Sequence, residues 1–209
     1  MKRIKIEGTC LAVLGLAALP MPGTFAATSV TDTVTVNINA ACDIYASSNK
    51  TGDAHSLSAT VANDAAQEWA PSSSGSNKLI YIYCNDSSGW NIKAVGAQSG
   101  TATAMIGSVS GTSIPSVASG STVPNSGSGT ANSSWGFKLS AGTGVITGAN
   151  GFTSDYKPIP STATIVASSS STASAGSFYV GYKVYVSPTQ AAGTYTGKVS
   201  YTIATGTGS

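Results

Sequence analysis

Charged side chains are scarce in this sequence. Only 9% of its 209 residues are Asp, Glu, Lys or Arg, and the formal net charge at pH 7 is +2. A leader ending at residue 26 holds three of the ten basic and one of the eight acidic residues, so seven of each remain after it. Nucleic-acid binding depends on clustered Lys and Arg that neutralise phosphates. We therefore expect no nucleic-acid partner.

Groups that perform acid–base or nucleophilic catalysis are also few. The single histidine, His55, lies in the polar stretch GDAHSLS, two residues after Asp53. Serine is abundant, so the three residue types of a Ser-His-Asp triad all occur in the sequence, but no nucleophile-elbow motif is present. Most acidic residues stand beside Gly, Asn or Ser, where turn capping explains them. We predict a non-enzymatic protein with no catalytic residues, and a secreted hydrolase using His55 is the remote alternative.

The usual ligand sets for metals and cofactors are missing. One histidine and one cysteine pair do not make a zinc site with the usual number of protein ligands. The pair Asn85–Asp86 lacks the repeated oxygen ligands of calcium loops. Glycine-rich pieces such as GTGVITG are not followed by the Lys and Ser or Thr of a phosphate loop. We expect neither a metal nor another cofactor.

The N-terminus has the three parts of a secretory signal peptide. Basic residues in the first five positions precede an apolar stretch over 10–21, and Thr24-Phe25-Ala26 offers small residues for cleavage. We predict cleavage after Ala26 and a secreted product, periplasmic, extracellular or at the cell surface. No later apolar run reaches about 18 residues, so we expect no membrane span after cleavage. Residues 27–209 are predicted to form a single domain.

Long helix formers are scarce, whereas Ser, Thr, Gly, Val, Ile and Tyr are common, which favours strands and turns. Apolar and polar residues alternate along Val30–Ile44 and Trp135–Leu139. Leu79–Cys84 is a nearly continuous apolar run, suited to a central strand covered on both faces, and Trp90, Ile92 and Ala94 alternate after a turn. Phe178–Ile203 holds two alternating runs around a turn. Each of these two segments predicts a hairpin. The last run is expected to face the core and to close the edge of its own domain.

Residues 96–133 form a long excursion rich in Ser, Gly and Thr. Isolated apolar residues within it favour an ordered excursion with weak edge strands over a flexible linker. Several short strands separated by turn signals predict an all-β protein, namely an immunoglobulin-like antiparallel β-sandwich.

Cys42 and Cys84 are the two cysteines that remain after the leader. In an exported protein an even pair predicts one disulfide. The bond would close a loop of about 42 residues and contribute on the order of 4 kcal/mol on the chain-entropy model.

Aromatic side chains are the remaining candidates for a binding site. The sequence has nine tyrosines and three tryptophans. Five of them lie on predicted strands and are candidates for a sugar-stacking contact surface: Tyr81, Tyr83, Trp90, Tyr179 and Tyr185. Half-buried cross-strand ladders explain strand tyrosines at least as well, and we favour that structural interpretation.

Three segments together resemble secreted bacterial pilin-like and spore-coat-protein-U-like domains. They are VNINAACDI, LIYIYCNDSSGW with the second cysteine 42 residues after the first, and the closing AGTYTGKVSYTI. The resemblance implies an immunoglobulin-type surface protein that builds fimbriae or filaments or mediates adhesion. It implies strand donation through the alternate residues Val34, Val36 and Ile38. The implied partners are other copies of the chain, a surface assembly or chaperone system, or glycans. A carbohydrate- or host-binding adhesin module is the alternative function.

Overall fold

In a computed structural model, the described residues are 35–36, 41–46, 57–71, 79–100, 103–129, 131–142, 152–170 and 175–206. The chain divides into two compact units, Met1–Asn37 and Ile38–Ser209. Of the first unit only Thr35 and Val36 are described, and both are exposed. The strands described below all belong to the second unit.

Every regular element in the described residues is a β-strand, as expected from the alternating, helix-poor sequence. There are 11: β1 Cys42–Tyr45, β2 Ala65–Trp69, β3 Leu79–Cys84, β4 Trp90–Gly96, β5 Met105–Gly107, β6 Ser113–Ile114, β7 Ser134–Ala141, β8 Thr164–Ser169, β9 Ala175–Val186, β10 Tyr195–Thr196 and β11 Val199–Thr205. All ladders between them are antiparallel.

The first sheet is organised around β9, its longest strand. β7 pairs with one edge of β9 over Phe178–Tyr185. The other edge pairs with β3 over Ala175–Tyr179 and with β2 over Tyr182–Val186. β2 and β3 therefore follow one another along the same edge, and β1 pairs with the far side of β3. Pro71 packs against Gly181 between β2 and β3, where a side-chain Cβ would meet the proline ring at 2.4 Å.

The second sheet has the order β11-β4-β8, and a small third sheet has the order β10-β5-β6. The hydrophobic core lies between the first two sheets. Ile82 and Phe178 from the first sheet and Ile92 and Val166 from the second are fully buried in one cluster. The predicted architecture, an all-β antiparallel sandwich of the immunoglobulin-like class with one disulfide, is confirmed.

Both predicted hairpins are wrong in one respect, because their two strands lie in different sheets. β3 belongs to the first sheet and β4 to the second, and the same holds for β9 and β11. The turn at 85–89 and the longer connection at 187–198 therefore cross from one sheet to the other. Alternation assigns a face to each strand but does not identify its hydrogen-bonded partner. Inward residues of β3 and β4 meet across the core instead of side by side.

The Ser/Gly/Thr-rich excursion supplies β5 and β6 and then covers the outer face of the first sheet. Val117 and Val123 from this segment form a second buried cluster with Tyr156 and Tyr185. Tyr185 lies on β9 and faces away from the main core, since its neighbour Val184 belongs to the main cluster. The first sheet is thus covered on both faces around the end of β9.

Candidate functional site

A groove of about 600 Å³ opens between the first and second sheets beside the start of β11. We call it the inter-sheet groove. Its apolar lining comes from both sheets and from β5, and includes Ile44, Ile80, Met105, Val180, Val184 and Val199. These side chains are where strand alternation predicts them, on the inner faces of their strands. The groove is therefore an accessible extension of the hydrophobic core.

Aromatic rings form part of the groove wall. The rings of Trp135 and Tyr182 stack with centroids 6.4 Å apart and planes inclined by 20°. The indole Nε1 of Trp135 donates a hydrogen bond of 2.8 Å to the carbonyl oxygen of Thr103. A Cβ at Gly197 would meet the Trp135 ring at 2.7 Å, so this glycine leaves the space that the ring occupies. The wall is fixed by packing and by a hydrogen bond.

The polar residues of the groove lining include two tyrosines and the two lysines Lys183 and Lys198. The hydroxyl oxygens of Tyr182 and Tyr201 lie 3.0 Å apart. Burial raises the pKa of Tyr182 to about 12, and burial also raises the pKa of Tyr201 well above its usual value. Both phenols are therefore protonated at neutral pH, and among the described residues the lining includes no Asp or Glu. The many apolar side chains of the lining suit an apolar occupant.

Two of the strands that border the groove, β1 and β11, each have one free edge within the part of the chain that the structure describes. β11 pairs with β4 from Val199↔Gly96 to Thr205↔Trp90 and has no second ladder partner there. β1 pairs with β3 and likewise has no other ladder partner there. The expectation that the last strand closes its own domain edge stays a prediction. Unpaired edges beside an apolar groove can accept another strand.

The residues predicted for strand donation are described only in part. Val36 is 74% exposed, an unusual position for a large aliphatic side chain in an alternating segment. Val34 and Ile38 lie outside the described residues. The donor assignment therefore remains a prediction.

The predicted disulfide is confirmed. Cys42 and Cys84 are bonded, and they face each other at one end of the β1–β3 ladder. The bond joins neighbouring strands of the first sheet instead of linking the two sheets. It ties the four-residue edge strand β1, which borders the groove, to the inner strand β3.

The five aromatics proposed as a contact surface do not share one exposed face. Trp90 is 1% exposed because it points inward from β4 into the main core, and Tyr185 is 0% exposed beneath the excursion. Tyr81, Tyr83 and Tyr179 lie half-buried on the outer face of the first sheet. Tyr45, which the sequence analysis omitted, lies opposite Tyr81 in the ladder, and its ring is 5.9 Å from that of Tyr83.

The remaining candidates for metal binding or catalysis were Asp86 and His55, and of these Asp86 lies in an ordinary turn. Asp86 accepts a 2.8 Å hydrogen bond from the backbone nitrogen of Ser88, as in an Asx-turn. The described residues contain no group of three His, Cys, Asp or Glu side chains placed to hold a metal ion. His55 lies outside them.

A polar cluster on the outer face of the first sheet was not foreseen from the sequence. The Glu68 carboxylate accepts a 2.8 Å hydrogen bond from the Tyr156 hydroxyl, and the amine of Lys138 lies 4.6 Å from the Tyr156 ring centroid. Burial, then the contact with Glu68, raises the pKa of Tyr156 far above its usual value. The buried amine of Lys183 lies beside this ring. The only sequence signal was a lone lysine inside the apolar run YVGYKVYV.

Within the described part of the chain, no helix is long and apolar enough to cross a membrane. No protein-family model matches this chain, and neither the curated proteins nor the solved structures give a significant match.

Proposed function

We propose that this protein is a secreted, non-enzymatic structural subunit of a cell-surface fibre, and that its inter-sheet groove accepts a strand from a second copy. The observation that carries the proposal is the apolar groove bordered by the edges of β1 and β11. An added strand would hydrogen-bond along a free edge and place alternate side chains in the groove. The largely apolar lining supports an occupant that inserts apolar side chains.

The occupant that we propose is the segment 30–39 of the neighbouring copy. Its alternate residues Val34, Val36 and Ile38 lie on one face of an extended chain. β1 begins at Cys42, so residues 27–41 precede the first described strand. The seven residues of β11 span about 23 Å at roughly 3.3 Å per residue, and a donor of similar length fits within this segment.

Export of the chain is part of the same proposal. The N-terminal leader has the composition of a signal peptide. The Cys42–Cys84 bond is the kind of covalent link that persists in oxidising compartments outside the cytosol. A fibre subunit at the cell surface meets both conditions.

The experiment compares two neighbouring substitutions in the donor segment. Val36→Asp puts a charge on the face that would enter the groove, whereas the matched control Thr35→Asp puts the same charge on the opposite face. We expect wild type and Thr35→Asp to form multimers and fibres in size-exclusion chromatography and electron microscopy of secreted protein. We expect Val36→Asp to remain monomeric.

Two outcomes contradict the proposal. One is a wild-type protein that stays monomeric and unattached to the cell surface. The other is equal assembly of the Val36→Asp and Thr35→Asp proteins. Both residues are exposed, so neither substitution removes a core contact.

A second candidate function, glycan binding, is favoured by the tyrosines on the outer face of the first sheet. Tyr45, Tyr81, Tyr83 and Tyr179 are all partly exposed there, and Tyr45 and Tyr83 meet edge to face. Partly exposed rings of this kind can stack on sugars. Binding on a glycan array that is lost in Tyr83→Ala would support an adhesin. Binding that survives this substitution would exclude the tyrosine surface.

A further inference from the structure

Lys183 occupies an unusual position for a lysine. It lies near the end of β9, is 7% exposed, and its Nζ is 2.5 Å from the side-chain oxygen of Asn125. The two residues are 58 positions apart in the sequence. Lysines are rarely this buried unless they are paired. The excursion therefore places an amide carbonyl directly against a buried primary amine.

The surroundings of this amine are apolar on one side and aromatic on the other. Val117, Val123 and Tyr185 form the buried cluster over the end of β9, and the ring centroid of Tyr156 is 5.9 Å from Lys183 Nζ. Within the described residues, the ion pair of this cluster joins Lys138 to Glu68 at 3.9 Å. Among these residues Lys183 has no carboxylate within ion-pair distance, and its amine is held against Asn125.

We propose that Lys183 and Asn125 condense to an intramolecular isopeptide bond. The amine of Lys183 attacks the side-chain carbonyl carbon of Asn125, and a new carbon–nitrogen bond forms. The bond from that carbon to the Asn125 amide nitrogen then breaks, and the amide nitrogen leaves as ammonia. One amine and one amide give one secondary amide and ammonia, so no oxidant, reductant or cofactor takes part.

A proton must move from the attacking amine to the leaving nitrogen, and Glu68 is placed to carry it. Glu68 lies directly opposite Lys183 in the β2–β9 ladder, so both side chains are on the same face of the sheet. Its carboxylate is already oriented by the Tyr156 hydroxyl. Glu68 would accept the proton from the Lys183 nitrogen and return it to the Asn125 nitrogen, and it would end the reaction unchanged.

The cross-link would fasten the excursion to the central strand of the first sheet. Asn125 belongs to a segment with little regular structure, and Lys183 lies between β2 and β7. A covalent bond here would hold the second hydrophobic cluster closed. The inference does not depend on strand donation, because it involves neither the donor segment nor the free edges of β1 and β11.

The first test is the mass of the intact wild-type protein after reduction of the disulfide. We expect a mass lower than that of the mature sequence by one ammonia, with tandem mass spectrometry showing a branched peptide that joins Lys183 to Asn125. A full mass overturns the proposal. A loss of ammonia without a branched peptide also overturns it, because a cyclic imide at Asn125 loses ammonia without forming a cross-link.

Variants separate the two partners from the proton carrier. Lys183→Arg and Asn125→Ala should keep the full mass, whereas the neighbouring control Lys138→Arg should still lose ammonia. Glu68→Gln should accumulate the full-mass form after synthesis and convert it at least tenfold more slowly. Equal conversion rates for Glu68→Gln and wild type overturn the assigned role of Glu68. Loss of ammonia with a branched peptide in Lys183→Arg overturns the assignment of Lys183.

Discussion

The hydroxyl of Tyr182 on β9 and that of Tyr201 on β11 are hydrogen-bonded, with their oxygens 3.0 Å apart. This bond connects the first sheet to the second at the side of the inter-sheet groove. Each phenol is partly buried and hydrogen-bonds to the other, so the pair adds a directional link to a largely apolar core. The Tyr201 ring also meets the Phe178 ring edge to face at 6.3 Å.

Removal of one hydroxyl from this pair should be more harmful than removal of both. Tyr182→Phe or Tyr201→Phe leaves a buried hydroxyl without its partner and should cost about 1–3 kcal/mol in the free energy of unfolding. The double variant should be more stable than the sum of the single losses predicts. Urea unfolding of the four proteins measures this coupling, and strictly additive losses would show that the bond contributes nothing.

Alkaline pH should weaken the sandwich through the same pair. The folded-state pKa of Tyr182 is raised from 10.0 to about 12, so its contribution to stability is present below about pH 10 and is lost as the pH rises toward 12. The full effect for Tyr182 is on the order of 3 kcal/mol. Unfolding free energies measured alongside tyrosinate absorbance should fall in this window. In the Tyr182→Phe/Tyr201→Phe double variant the fall should be smaller.

Acid should weaken the contact between Asp64 and the excursion. The hydrogen bond from Tyr185, and then that from the Gly129 backbone, lower the pKa of Asp64 below its usual value of 3.8. Stability from this group is therefore present above about pH 4 and is lost as the pH falls through the lower folded-state pKa. In this pH range the melting temperature of wild type should fall toward that of Asp64→Asn, as measured by thermal unfolding. A constant difference between the two proteins at all pH values would contradict the assignment.

The backbone at Asp64 provides a control for the same position. Its φ is 55°, a left-handed conformation that Asn and Asp adopt more readily than Ala. Asp64→Ala should therefore have a lower melting temperature than Asp64→Asn at neutral pH. Equal melting temperatures would show that neither the conformation nor the side-chain acceptor contributes.

Removal of the disulfide should lower stability without changing the fold. The Cys42→Ser/Cys84→Ser protein should lose about 4 kcal/mol of unfolding free energy on the chain-entropy model. The oxidised wild type should also migrate faster than the reduced protein on a denaturing gel. Circular dichroism should remain that of a β-protein, and a variant with the stability of wild type would contradict a structural role for the bond.

Local sequence patterns were sufficient for the fold class. Alternation along Phe178–Val186 requires an extended strand with one buried face, because the period of two is a property of the strand itself. The disulfide between Cys42 and Cys84 could be predicted because an even pair of cysteines is expected to bond in a chain predicted to be exported. The inward positions of Val199, Tyr201 and Ile203 against the core also followed from alternation alone.

Only the tertiary structure decided which strands pair with each other in a sheet. A turn such as that at 85–89 can join two strands of one sheet or cross between two sheets, and the sequence signal is the same in both cases. The groove exists because β3 and β4, and likewise β9 and β11, separate into opposite sheets. The burial of Trp90 and the approach of Lys183 to Asn125 depend on contacts between distant segments. Sequence periodicity determines which face a side chain takes, whereas long-range packing determines what lies opposite it.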